Sequence, residues 1–222
     1  MRFARTIMAT LLALALTAGV AISGTAQVEP GTSELDIEGL EKAYGRTFNG
    51  DMMAMMEAPE EDLSGWFMLT VMVLEFDNED NAGAGYEQLT GDASSSAAEE
   101  DVSLEEVELD LDVDYTAYQA VEEMDGITTN VLLVTAHDGD YVYAVSGITF
   151  GDDPVGTVES VFGDVQGADA GDDEEMFHDD GTSMGGLWEK FPTLESVQEQ
   201  VPALTSASDT IYVPTTDSTP IN

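Results

Sequence analysis

GWFMLTVMVLEF, residues 65–76, is a near-continuous apolar run rich in β-branched and aromatic residues. It reads as a buried strand. Asp77 or Asn78 can then cap a helix over roughly 79–89, where Ala82, Tyr86 and Leu89 share a face. Gly83 and Gly85 weaken that helix. Upstream, Pro59 and the acidic residues 60–62 close off DMMAMME, residues 51–57. Met52, Met55 and Met56 stand at i, i+3 and i+4, with Met53 beside them, so they share one helical face. Thioethers are flexible core fillers. The expectation is packing against the strand at 65–76, with a methionine wall facing a cavity as the alternative. A copper(I) site would need three sulfurs to converge in an exposed segment, and Pro59 with its acidic neighbours gives no such loop.

Farther along, EVELDLDVDY (106–115) alternates strictly. Val107, Leu109, Leu111, Val113 and Tyr115 point one way, and Glu108, Asp110, Asp112 and Asp114 the other, the pattern of a half-buried strand. A further strand is expected near 117–121. TTNVLLVTAH and DYVYAVSGITF flank Asp138-Gly139, a type I′ turn dipeptide, and predict a β-hairpin. Pro154 suits the first turn of a helix reaching about Phe162. VLEFDNEDNAGAGYEQL and GITFGDDPVGTVESVF echo each other as strand, Phe, acidic cap and helix. Few side chains are shared, which favours ordinary strand-to-helix grammar over a repeat.

Before the central run, Ile37, Leu40, Ala43 and Tyr44 stand at helical spacing. The expected class is α+β, an antiparallel-rich sheet with helices packed on one face or end. The expected division is a signal peptide at 1–26, a flexible leader at 27–36 and one domain at 37–203. Acidic loops fall at 91–101 and 163–186, a short helical patch lies near 187–204, and a Ser/Thr/Pro-rich tail covers 204–222. The leader signal rests on Arg2 and Arg5 before an apolar run from Ile7 to Ile22, with Gly24 and Ala26 placed for cleavage before Gln27. An extracytoplasmic location is expected: secreted, periplasmic or at the cell surface. The chain has no cysteine, so no disulfide supports it there.

Charge dominates the composition. Five Lys and Arg face 46 Asp and Glu, for a formal net charge of −41. Cleavage would leave Lys42, Arg46 and Lys190 as the only cations. Such a surface repels phosphates, which argues against nucleic acid and anionic membranes as partners. Disorder is the first explanation for so much charge, but 43% hydrophobic residues in clear strand patterns argue for a folded chain adapted to salt.

The chemical inventory yields no catalytic, cofactor-binding or metal site. Gly181-Thr182-Ser183-Met184-Gly185 has the spacing of a nucleophile elbow but lacks a preceding strand and a later histidine. His137 and His178 are the only histidines, and neither has a second His or Cys at ligand spacing. Met176 beside His178 is a minimal soft-metal pair, and a surface loop is the stronger reading. Asp110, Asp112 and Asp114 begin like a calcium loop, but Tyr115 stands at the sixth position and Val121 at the twelfth. Successive carboxylates of the row Glu108, Asp110, Asp112, Asp114 lie about 7 Å apart along a strand, too far to chelate one ion alone.

VLEFDNEDNAGAGYEQL and NVLLVTAHDGDYVYAV, with the helix after Pro154, resemble exported sensor-like α+β domains of bacterial envelope proteins. The extracellular sensor domain of mycobacterial serine/threonine kinases is one such group. The resemblance spans about residues 65–165 and implies a non-enzymatic binding module for a small ligand or a protein. This chain lacks that group's cysteines, and no functional residue carries over. An acidic envelope protein with a structural or cation-buffering role is the alternative, and a carboxylate-only hydrolase a third reading. The salt inference is directly testable. Self-repulsion should make the fold less stable at about 10 mM than at about 2 M salt, where the screening length is roughly tenfold shorter. Circular dichroism melts at both salts measure this, and equal midpoints would refute it.

Overall fold

The run at 65–76 forms the strand on which the molecule is organised. The computed structural model describes residues 31–35, 37–51, 65–99, 102–124, 127–167 and 191–214. In chain order these form β1 (Gly31–Leu35), β2 (Leu40–Gly50), β3 (Gly65–Phe76), α1 (Glu79–Glu99), β4 (Glu105–Glu106), β5 (Asp114–Met124) and β6 (Ile127–Asp138). β7 (Tyr141–Phe150), α2 (Val155–Gly167), α3 (Leu194–Gln200) and β8 (Leu204–Pro214) complete them. One sheet holds the strands in the order β1-β8-β2-β3-β7-β6-β5-β4. Neighbours are antiparallel from β8 to β4, and β1 runs parallel to β8.

β3 is apolar on both sides of its pleat. Leu69, Val71 and Val73 face one side with Tyr44, Phe48, Leu132, Val134, Tyr143 and Val145, and α2 and α3 cover that side through Val158, Phe162 and Val197. Met72, Leu74 and Phe76 face the other with Val142, under Ala82 and Leu89 of α1. A third cluster, Met68, Ala120, Val131 and Ile148, extends this second side, flanked by Val102 and Leu104. Each fully buried Leu, Val or Phe stabilises by roughly 2 kcal/mol. Leaving either side of β3 wet would forfeit several such terms. The sheet is antiparallel-rich as expected, but helices on one face or end are not what forms: α1 lies on one face, and α2 and α3 on the opposite one. The two echoing strand-to-helix segments thus deliver their helices to opposite faces of adjacent strands.

Other expectations change with the partners. The helical spacing at 37–44 gives way to strand β2, in which Tyr44, Arg46 and Phe48 face one side and Ala43, Gly45 and Thr47 the other. Four apolar residues fit either period, and pairing with β3 on one edge and β8 on the other decides for strand. Part of the leader forms β1, and residues 204–214 of the expected tail form β8. α1 runs through the small-residue stretch expected as a loop from 91, because Ala93 and Ala97 are buried. Of the alternating segment 106–115, only Glu106 and the last two residues, in β5, lie in ladders. Its sidedness is nonetheless as read: Leu109 is buried, Val107, Leu111 and Val113 pack on the first core, and the four carboxylates are exposed. The Tyr115 hydroxyl fixes this segment, donating to Leu109 O and accepting from Leu109 N, both at 2.9 Å.

The hairpin forms, with its two-residue turn at Gly139 and Asp140 rather than Asp138-Gly139, since Asp138 pairs with Tyr141. Gly139 takes φ 58°, the left-handed region. Asn78 caps α1 by accepting from Asn81 N at 2.9 Å, and Thr193 caps α3. α2 follows Pro154 as expected, with Val155 N donating to Asp153 Oδ1 at 3.0 Å, and it continues past Phe162 to Gly167. The signal segment at 1–26 and the methionines at 52–56 lie outside the described residues. So do His178, Met176 and the Gly181–Gly185 match.

The helix glycines divide into two kinds. A Cβ on Gly85 would stand 2.4 Å from the Phe76 ring, so this glycine lets α1 sit down on β3. A Cβ on Gly163 meets nothing within 4 Å. Gly163→Ala should therefore stabilise by about 0.5–1 kcal/mol. Gly85→Ala should destabilise by about 1–3 kcal/mol through overpacking. Urea unfolding of both variants measures the opposite signs.

Candidate functional site

At one end of the sheet, where β5 begins and β6 turns into β7, the surface opens into a groove of about 540 Å³. Glu79, Leu111, Asp112, Val113, Asp114, His137, Asp138 and Gly139 line it. Register brings the central pair together, since Asp114 and His137 are Cα partners across β5 and β6. Asp138 follows at the end of β6. Glu79 arrives from the first turn of α1, where the helix N-terminus favours a carboxylate. Leu111 and Val113 pack back onto the core, so Asp112 between them is turned outward.

His137 is held on two sides. Its ring stacks on Tyr86 with centroids 6.2 Å apart, and Tyr86 is fixed in turn by a 2.6 Å hydrogen bond with Thr116. Nε2 lies 2.9 Å from the Gly139 carbonyl, which can only accept, so Nε2 carries the proton. α1 passes over the imidazole at Gly83, where a Cβ would be 3.8 Å from Cε1.

Of the row read from sequence, Asp112 and Asp114 enter the groove, whereas Glu108 and Asp110 do not. Asp110 sits toward α2, its backbone N donating to Glu159 Oε1 at 3.1 Å. Sequence reading missed Glu79 and Asp138. Glu79 was visible as a first-turn acid, but only the docking of α1 across the sheet carries it to the hairpin end. Glu79, Asp112, Asp114 and Asp138 are all exposed. Ionised carboxylates only accept hydrogen bonds, so this groove suits ammonium or guanidinium groups. Among the described residues, no three His, Cys, Asp or Glu side chains converge to hold a metal.

Asp138 also acts inward. The Tyr143 hydroxyl, on the first core face against Phe162, is pushed up to about 12 by burial, then by the negative charges of Asp138 and Tyr141. Tyr44 is held above the usual phenol range as well, by burial first and then by Asp209. No protein-family model matches the sequence, and no curated protein matches it.

An alkaline weakness follows. Unfolded tyrosine releases its proton near pH 10. Between about pH 10 and about pH 12 the unfolded chain sheds a proton that folded Tyr143 keeps. The stability contributed by neutral Tyr143 is therefore full below about pH 10 and is lost as pH rises through that window. Urea melts over this range should show the decline, and Y143F should make it shallower. D138N should shift the absorbance titration of Tyr143 to lower pH.

Proposed function

We propose that this chain is an exported, highly acidic, non-enzymatic binding module that engages a positively charged partner outside the cytoplasm. The supporting observation is the open groove, in which Glu79, Asp112, Asp114 and Asp138 surround a fixed His137. Its polar, exposed lining suits a basic protein segment better than a small apolar ligand, which would call for a deep apolar cavity. The N-terminal signal pattern supports export. No helix among the described residues is long and apolar enough to cross a membrane. The sensor-like role stays with the resemblance and assigns no residue.

A cation-buffering role is the second reading, favoured by the outward row Glu108, Asp110, Asp112, Asp114. Calorimetry separates the two. Oligolysine should bind at low salt and weaken steeply toward 1 M, where the screening length is about 3 Å. Exposed ion pairs contribute about 0.2–1 kcal/mol each. The fourfold variant E79Q/D112N/D114N/D138N should therefore weaken binding by a factor of about 4 to 900. A control with the same charge change elsewhere, E38Q/E87Q/D92N/E123Q, should weaken it far less. Equal losses would reject the groove, and saturable heat with millimolar calcium instead of oligolysine would favour buffering.

A further inference from the structure

The last described strand, β8, lies inside the sheet where β1 flanks it, from Thr210 to Pro214, and at the sheet edge before that. β8 is inserted between β1 and β2, antiparallel to β2 from Ala43 to Gly50 and parallel to β1. Among the described residues, β1 has no other strand beside it. Removing β8 would therefore unpair β1 and bare one edge of β2 without touching the ladders from β2 to β5.

The attachment of β8 is uneven along its length. Thr205, Ser206, Ala207 and Ser208 are exposed, with only β2 beside them, since β1 pairs with β8 from Thr210 onward. Here the ladder has almost no apolar burial behind it, in contrast to β3, where every residue from Met68 to Leu74 is buried. Apolar anchorage is gathered in the preceding turn and helix and at the first residue of β8, through Phe191, Val197, Val201 and Leu204. Beyond the exposed run stands one ion pair. Arg46 of β2 grips Asp209 of β8 with two parallel bonds, Nε to Oδ1 at 2.6 Å and Nη2 to Oδ2 at 3.1 Å. The same guanidinium donates through Nη1 to Pro192 O at 3.0 Å, just before α3. One buried cation thus ties down both ends of the segment from 192 to 209.

We propose that α3 and β8 form a latch, a unit that opens while the sheet from β2 to β5 stays folded, with the Arg46 clamp setting how often it opens. Cooperative units of low local stability open independently of the whole. Release of β8 breaks only its ladders with β2 and β1 and leaves the other pairings of the sheet intact. Opening bares the donors and acceptors along Ala43–Gly50 of β2, an edge onto which an extended segment can add by main-chain hydrogen bonds.

Amide hydrogen exchange on the full chain at high salt tests this. Residues 205–210 and β1 should exchange together, about 100-fold or more faster than Leu69–Leu74. R46Q strands Asp209 and the Pro192 carbonyl, and loss of one partner of a buried pair is strongly destabilising. It should accelerate exchange in 191–214 and β1 by a further 100-fold or so, leaving β3, β6 and β7 nearly unchanged. Equal protection of β8 and β3, or R46Q accelerating every strand in step, would overturn the latch. N49C/S206C places cysteines at Cα partners in a chain that has none. Oxidation should slow β8 exchange to the β3 level and reduction should restore it. Continued fast exchange of residues 205–210 under the crosslink would equally reject the proposal, whether or not R46Q folds.

Discussion

A strand that is apolar on both sides of its pleat must be covered from both sides, and the rest of this structure follows from that requirement in β3. An antiparallel sheet with one wet face needs helices on only one side. Here the pleat sends Leu69, Val71 and Val73 to one core and Met72, Leu74 and Phe76 to another. The chain meets the second demand immediately, with α1 folding back across Met72 and Phe76. It meets the first only after β7, with α2 and α3. Gly85 allows the first of these dockings at Phe76. Gly147 does the same on the other face, where a Cβ would stand 2.9 Å from the Trp66 ring and 3.0 Å from Val158.

The placement of charge obeys the same division. The buried polar and charged residues described are Arg46, Asn130 and four threonines, with no carboxylate among them. The one buried charge among the described residues is a cation inside a shell of anions, the arrangement the field of such a shell favours. Burial works against the Arg46 charge, but the Asp209 hydrogen bond, Tyr44 and the Asp209 charge outweigh it and hold its pKa above the usual value. Tyr44 and Phe191 add their ring faces about 6 Å from the guanidinium carbon, at 5.9 and 6.0 Å. Lys42 is spent on Glu75 at 3.4 Å, a more exposed and weaker pair.

What was legible in the sequence was local, and what was not depended on partners distant in the chain. The central strand, the cap after Phe76, the hairpin and the inward and outward sets of 107–114 could be read because each is set by neighbours in sequence. Residues 37–44, which include the start of β2, read as helix because Ile37, Leu40, Ala43 and Tyr44 fit a 3.6 period as well as a strand start. Only pairing with β3 and with β8, 163 residues from Arg46 to Asp209, decides it. The run TSASD within β8 has no burial signal, since its hold on the sheet comes from the ladder and from a guanidinium on another strand. The groove was half legible: Asp112, Asp114 and His137 were noticed singly. The register that unites them, and the docking that adds Glu79, are tertiary facts.

Salt acts differently on these two layers of charge. Screening relieves repulsion among exposed carboxylates separated by more than a few ångströms, but acts much less on a buried bidentate pair. Raising salt therefore strengthens the sheet as a whole by weakening its surface repulsion, while the hold of Arg46 on β8 changes little. The same screening weakens whatever the acidic groove attracts. A chain built this way gains fold stability and loses electrostatic reach over the same range of ionic strength. On the proposed reading, a partner kept in strong brine would be recognised by contacts that persist at about 3 Å, through hydrogen-bonded fit to Glu79, Asp112, Asp114 and Asp138 rather than through the long-range field of the net charge.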